Sequence, residues 1–305
     1  MYLAEPGFEL GELRDVDELK QYGRAAVLDE LIADGVKSFR KSEISRGELA
    51  ARAFANALQS WGGDPRTIDL IILASESILP GENAGSEFYD FCSSRGLGKV
   101  PVMGVALGEC ANLAAALRIA RSILVHEPIR HIALVTVDVA HDHERIAQLE
   151  IGVLSDAAAA CIVGASPAGA KYRLCGLSQT ANNSLLRVIS DEGGKAMLLT
   201  AAGVRGAVRA ALKEAGAAAP ELGGLVCTTL RTSALRFYAQ VCGLDLASTF
   251  AETVPSIGHA FASDMLINLR ESSEWRRSRG IKAGTPLLSL ILGPHTWGAA
   301  VIEVL

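Results

Sequence analysis

The stretch Val100–Val125, VPVMGVALGECANLAAALRIARSILV, decides how the chain is read. A short apolar run from Val100 to Leu107 breaks at Gly108. A helical pattern follows, with apolar residues at Leu113, Ala116, Leu117, Ala120 and Leu124. The implied order is strand, tight turn, helix. Cys110 falls in the turn, where the first free backbone N–H groups and the positive end of the helix dipole are expected to lower the thiol pKa and favour the thiolate. Cys110 is therefore either a candidate nucleophile or a small buried residue in an Ala-rich helix, and the rest of the chain has to decide between the two.

Upstream, Tyr2–Leu10 reads as an opening strand, and residues 16–42 are mixed in charge and weakly patterned, which suits irregular or helical cover. Ser45 with Glu48 forms a capping-box pattern ahead of a helix with an apolar stripe at Leu49, Ala53, Phe54, Ala57, Leu58 and Trp61, stopped by Gly62 and Gly63. Ile68–Ala74 is a nearly continuous apolar run of strand length, of the kind buried on both faces of a parallel sheet. A short helix is expected within residues 80–98. Downstream, His131–Val139 and Val153–Gly164 read as buried strands, the second beginning at Asp156. Leu174–Thr180, Leu225–Leu230, Leu287–Leu292 and Ala299–Leu305 are further strands. Helices are expected at Ala196–Ala217 and Ser233–Gly243, and Leu266–Trp275 lies in one that begins near Gly258. Helices alternating with buried strands mean a layered α/β architecture.

The chain has 305 residues, half of them hydrophobic and 21% charged, enough to bury a large core as one α/β body or two domains. A net charge of −5 argues against a general nucleic-acid binder. Cys92, Cys110, Cys161, Cys175, Cys227 and Cys242 are scattered without CxxC or metal spacing, and no histidine has metal-ligand spacing, so a reduced, cytoplasmic protein without a structural metal is expected. The opening MYLAEPGFELGELRD is too acidic for a signal peptide, and no run approaches the roughly 18 apolar residues of a spanning helix, so no membrane association is expected.

Laid under one another, the two halves repeat. The run 68–74 corresponds to 223–229, the turn at Leu107-Gly108 to that at Ile257-Gly258, and the strand pair within 131–164 to that within 287–304, each displaced by about 150 residues. The division is 1–168, carrying Cys110, and 169–305. A duplicated body of this kind points both glycine turns at one central region, where Cys110 would meet His259. The segment GHAFASD places Asp264 five residues after His259. A Cys–His–acid set needs a base near the sulfur and a carboxylate to hold the imidazole, and these two can pair only if His259 sits in the turn before the helix. Otherwise His259 is a capping or core histidine. In LGPHTWG, a glycine turn between two apolar strands, the N–H of Gly293 could join that of Cys110 as an oxyanion hole, or the segment is an ordinary hairpin.

Taken together, VALGECANLAAALRIA, VLSDAAAACIVG, VPSIGHAFASDMLINL and LLSLILGPHTWGAAVIEVL resemble the ketoacyl synthase III group of the thiolase fold, from about residue 45 onward. The resemblance implies a pseudo-duplicated, five-layered αβαβα fold and a homodimer that takes an acyl group from a phosphopantetheine thioester, without dissociable cofactor or metal. It matches Cys110 to the family's nucleophile and Gly293 to its glycine turn. Condensing members carry VPHQAN where this chain has VCTTLR, with Thr228 in the histidine position, and GNT where this chain has GHA. The His and Asn donors that stabilise an enolate are thus missing. Cys110, His259 and Asp264 instead resemble the acyltransferase branch, with its GHxxxSD segment, which forms esters or amides or primes a polyketide. The expectation is acyl transfer from a carrier-protein or CoA thioester to a small-molecule hydroxyl, an amine or a carrier, in polyketide, antibiotic or other secondary-metabolite biosynthesis. A decarboxylating condensing enzyme and a non-catalytic partner subunit are the alternatives. Arg205, Arg209 and Lys213 recur at four-residue spacing and could dock an acidic carrier protein, with Arg231 or Arg236 at the pantetheine phosphate, or they form a solvated face.

Overall fold

The computed structural model describes residues 1–78, 85–185 and 193–305. In the first half the strands are β1 (Tyr2–Leu3), β2 (Gly7–Leu10), β3 (Glu12–Asp15), β4 (Ser38–Lys41), β5 (Ile68–Ala74), β6 (Val102–Val105), β7 (His131–Asp138) and β8 (Ala157–Gly164). The second half contributes β9 (Tyr172–Ala181), β10 (Gly224–Cys227), β11 (Thr249–Phe250), β12 (Pro286–Leu292) and β13 (Thr296–Val304). The order across the sheet is β11-β10-β12-β13-β9-β1-β8-β7-β5-β6. In the first half β5 lies parallel to β6 and β7, and β7 runs antiparallel to β8. In the second, β10 lies parallel to β11 and β12, and β12 runs antiparallel to β13. The duplication is therefore one of topology, and β1 joins the halves by pairing with both β8 and β9.

Five layers follow from which residues each strand turns to which side. Ile71 and Leu73 of β5 and Val135 and Val137 of β7 pack on the helices Arg46–Trp61 and Ser86–Ser94. Their alternates Leu70, Ile72, Ile132 and Leu134 pack on the central helices Asn112–His126 and Asp264–Glu271. In the second half Leu288, Leu290 and Leu292 of β12 face the outer helices Gly193–Ala215 and Thr232–Val241. Strands buried on both faces need apolar residues at both parities, which is why their runs are continuous.

Element bounds differ from the sequence reading where local chemistry intervenes. The opening strand is broken into β1 and β2, and residues 16–42 hold a 3₁₀ helix at Val16–Tyr22, a helix at Ala25–Ala33 and β4. The helix expected within 80–98 is Ser86–Ser94, and residues 80–84 of that span lie outside the described residues. The helix expected from Gly258 starts only at Asp264, because a 3₁₀ turn at Phe261–Ser263 precedes it, and it stops at Glu271, with a separate short helix at Ser273–Ser278. Ser45 does cap its helix, accepting the Glu48 N–H at 3.1 Å.

Candidate active site

Parallel pairing brings the carboxyl ends of β5, β6, β7, β10 and β12 to one region, the place where open α/β sheets present their functional loops. Cys110 follows β6 in a 3₁₀ turn that opens the central helix Asn112–His126. His259 is held from the other half. Its N–H donates to the Val153 carbonyl and its carbonyl accepts the Ser155 N–H, both at 2.8 Å, just before β8. Gly258 has a φ of 76°, and a Cβ there would lie 2.8 Å from Ser155 Oγ and 2.9 Å from the Val153 carbonyl, so only glycine lets the chain arrive in this way.

His259 thus sits in the turn and Asp264 at the first position of the helix that follows. The imidazole Nδ1 lies 2.6 Å from Asp264 Oδ2, and Nε2 lies 3.1 Å from Cys110 Sγ. A carboxylate only accepts, so Nδ1 carries the hydrogen and Nε2 presents its lone pair to the thiol. Asp264 is fixed in turn by the N–H groups of Ala260 and Thr229, each at 2.8 Å. All three residues are buried. Cys110 and His259 line a cavity of about 880 Å³ whose walls are mainly apolar, including Ile146, Leu149, Ile151, Tyr238 and Leu292.

A second group, which the sequence reading did not single out, touches the sulfur. Glu76, just beyond β5, places Oε2 3.5 Å from Cys110 Sγ and opens onto the cavity. Its turn is clamped by Asp138 at the end of β7, whose Oδ1 accepts the N–H groups of Glu76 and Ser77 and the hydroxyl of Ser75 at 2.7, 2.9 and 3.1 Å. Asn112 bonds the Ser75 carbonyl through Nδ2 at 3.2 Å and accepts the Gly108 N–H at 2.8 Å, tying that turn to the Cys110 loop.

These carboxylates change the electrostatics from those expected. Burial, and after it the negative charges of Glu76, Asp138 and Asp264, pushes the Cys110 thiol well above its ordinary range. The structure therefore corrects the expectation of a helix-stabilised thiolate: Cys110 rests as a thiol and needs a base. Burial likewise raises the carboxyls of Glu76 and Glu109, and carries that of Asp138 up to about 7.

Gly293 is a second correction. It lines the cavity, but its N–H donates to the Thr296 carbonyl at 2.8 Å and closes the β12–β13 hairpin, so that donor is already committed. What glycine provides there is approach: a Cβ would lie 3.1 Å from the Gly108 carbonyl. Of the two proposed oxyanion donors, that leaves the Cys110 N–H, in the 3₁₀ turn ahead of the central helix. Thr228 is buried, donates to the Leu290 carbonyl at 3.4 Å and accepts the Leu292 N–H at 3.0 Å, so it serves β12 rather than the cavity. Arg205, Arg209, Lys213 and Arg236 are exposed, whereas Arg231 lies 3.5 Å from Asp34 Oδ2. No group of residues suited to hold a metal ion occurs among the described residues.

No protein-family model and no curated protein matches the sequence. Solved structures do match over nearly the whole chain. ChlB3, described as an acyltransferase, has a TM-score of 0.84 at 18% identity and covers 100% of this chain and 97% of its own. The 3-oxoacyl-[acyl-carrier-protein] synthase III of Aquifex aeolicus VF5 has a TM-score of 0.80 at 20% identity, covering 99% of each chain. The priming β-ketosynthase of the R1128 polyketide pathway has a TM-score of 0.79 at 17% identity, covering 99% of this chain and 96% of its own. This is the thiolase fold, as ketoacyl synthase III structures carry it. Within the thiolase fold of this chain the two halves meet at Cys110 and His259, and the turn register explains how. Gly108 matches Ala260 and Asn112 matches Asp264, so His259 stands opposite Leu107 and the glycines themselves are not mates. No described helix is long and apolar enough to cross a membrane.

Proposed function

We propose that this chain is an acyltransferase that carries an acyl group from a carrier-protein or CoA thioester, through an acyl-Cys110 intermediate, to a hydroxyl, an amine or a carrier thiol. The observation that carries this reading is the relay from Cys110 Sγ to His259 Nε2 at 3.1 Å and from Nδ1 to Asp264 at 2.6 Å. His259 takes the thiol proton as Sγ attacks the thioester carbonyl, and the Cys110 N–H faces the oxyanion. Collapse breaks the C–S bond to the carrier, whose thiolate leaves with the proton from the imidazolium. In the second half-reaction His259 takes the acceptor's proton, Asp264 stabilises the imidazolium, and the Cys110 thiol is restored. The phosphopantetheine arm belongs to the substrate, and no dissociable cofactor is invoked.

A condensing reaction would need two donors aimed at an enolate oxygen. Thr228 is spent on β12, and both ring nitrogens of His259 are engaged with Cys110 and Asp264. That arrangement favours acyl transfer over decarboxylation, and an intact relay disfavours a silent partner subunit. The similarity to ChlB3 and to a polyketide priming enzyme supports a role in secondary metabolism. Docking of an acidic carrier protein on Arg205, Arg209 and Lys213, with Arg231 near the pantetheine phosphate, and assembly as a homodimer in the cytoplasm, belong to the same proposal. A screen of acyl and malonyl thioesters read by intact mass tests it: acyl adducts on Cys110 without loss of carbon dioxide are expected, and release of labelled carbon dioxide from a malonyl donor would favour the condensing reading.

A further inference from the structure

The neighbourhood of Sγ holds one more acceptor than acyl transfer by His259 requires. The Cys110 thiol has a single hydrogen and faces two acceptors, Nε2 of His259 at 3.1 Å and Oε2 of Glu76 at 3.5 Å. Acylation removes that hydrogen, so both acceptors face the cavity without the donor that the thiol supplied. Asp138 clamps the Glu76 backbone and Asn112 ties its turn to the Cys110 loop, so the turn that presents this side chain to the sulfur is fixed. Its charge also disfavours the thiolate, so it hinders the first half-reaction. A group that hinders acylation and loses its donor once acylation is complete is suited to the second.

We propose that Glu76 is the acceptor-binding carboxylate of the second half-reaction and that the acceptor it takes is a primary amine. This deepens the acyltransferase reading and rests on it. An ammonium brings hydrogens for both acceptors, which a single hydroxyl does not, and Glu109 at the same cavity adds a second carboxyl group. The ammonium gives one proton to the Glu76 carboxylate, leaving a neutral amine. Its nitrogen attacks the acyl-Cys110 carbonyl while Nε2 of His259 takes a second proton. The C–N bond forms, the C–S bond breaks, and the thiolate recovers its proton from the imidazolium. The products are an amide and the free thiol, and Glu76 releases its proton to solvent. Nothing is oxidised or reduced.

The test separates the half-reactions. Enzyme loaded from an acyl-N-acetylcysteamine thioester is freed of donor and mixed with butylamine or butanol, and loss of the acyl mass is followed. Glu76→Gln should load at least as fast as the unaltered protein, which also shows that it folds, and should then lose about 10²-fold in butylamine-dependent deacylation. Butanol-dependent deacylation should fall by much less. Glu76→Asp, which keeps the charge but withdraws it by one methylene, should fall between the two and serves if Glu76→Gln does not fold. Equal losses with amine and alcohol, or no loss with either, would overturn the amine assignment while leaving acyl transfer standing. Failure of the unaltered protein to load at all would strike the acyltransferase reading first and take this proposal with it.

Discussion

Asp264 occupies in the second half the place that Asn112 occupies in the first. Each accepts the backbone N–H four residues upstream at 2.8 Å, from Ala260 and Gly108 respectively, and each opens a central helix after a 3₁₀ turn. One loop clamp has thus been used twice, once as a neutral amide that ties the Cys110 loop to Ser75 and once as a carboxylate that holds His259.

Asp264→Asn should therefore keep the bond to the Ala260 N–H and lose the charge. An amide at this position can donate to Nδ1 of His259, which would put the imidazole hydrogen on Nε2 and remove the base facing Cys110. The acylation rate should fall by about 10²–10⁴. The substitution also leaves the Thr229 N–H facing an NH₂ group where it now meets Oδ2, at a cost of about 1–3 kcal/mol. Single-turnover loading read by intact mass, beside a urea melt, distinguishes the two effects. Loss of fold with no change in the rate among folded molecules would contradict the assignment.

Asp138 gives a pH dependence of definite sign. Its carboxyl sits at about 7 in the folded chain, above the usual carboxylate range, because burial disfavours its charge. The folded state therefore keeps a proton that the unfolded chain loses near pH 4. The associated stability is fully present below about pH 4 and declines as pH rises to about 7, by at most about 1.4 kcal/mol per unit. Asp138→Asn retains an oxygen for the Glu76, Ser77 and Ser75 donors and should flatten that decline. Urea midpoints of both proteins at about pH 4.5 and about pH 7.5 check this, and parallel shifts would refute it.

Arg145 and Asp156 form a buried pair behind the cavity wall, bidentate at 2.9 and 3.0 Å, each about 1% exposed. Asp156 also takes the N–H groups of Ser42 and Ala140. Arg145→Met would strand that carboxylate and should cost about 3–5 kcal/mol in urea unfolding. A cost below about 1 kcal/mol would show that Asp156 is held by its backbone donors alone.

The exposed row on Gly193–Ala215 predicts a split between donors. Reversing Arg205 and Arg209 to Glu should raise KM for an acyl carrier protein several-fold and leave acyl-N-acetylcysteamine turnover unchanged. Equal losses with both donors would remove docking from the account.

Much of the site was legible in the sequence because its parts lie in local patterns: Cys110 at a strand-to-helix break, and His259 with Asp264 in one short segment before a helix. The layered fold was legible too, since β5, β7, β8 and β12 are apolar at both parities. Glu76 was not legible, because its nearness to Cys110 comes from β5 and β6 lying side by side, a relation no local spacing records. The thiolate expectation failed because Cys110 is buried and, after that, for the same reason. A helix N-terminus is visible in a sequence, but the carboxylates gathered around it from β5 and β7 are not. The commitment of the Gly293 N–H depends on the closure of one hairpin, and the register of the two turns on loop contacts of Asn112 and Asp264 that sequence spacing set two residues off.

The most direct measurement is the intact mass of the chain after one exposure to an acyl thioester, for the unaltered protein, Cys110→Ala and His259→Ala. One acyl group is expected on Cys110 of the unaltered protein, none on Cys110→Ala, and loading slowed by about 10²-fold or more in His259→Ala. An acyl group on any residue other than Cys110, or loading that proceeds unchanged without His259, would contradict the proposed relay.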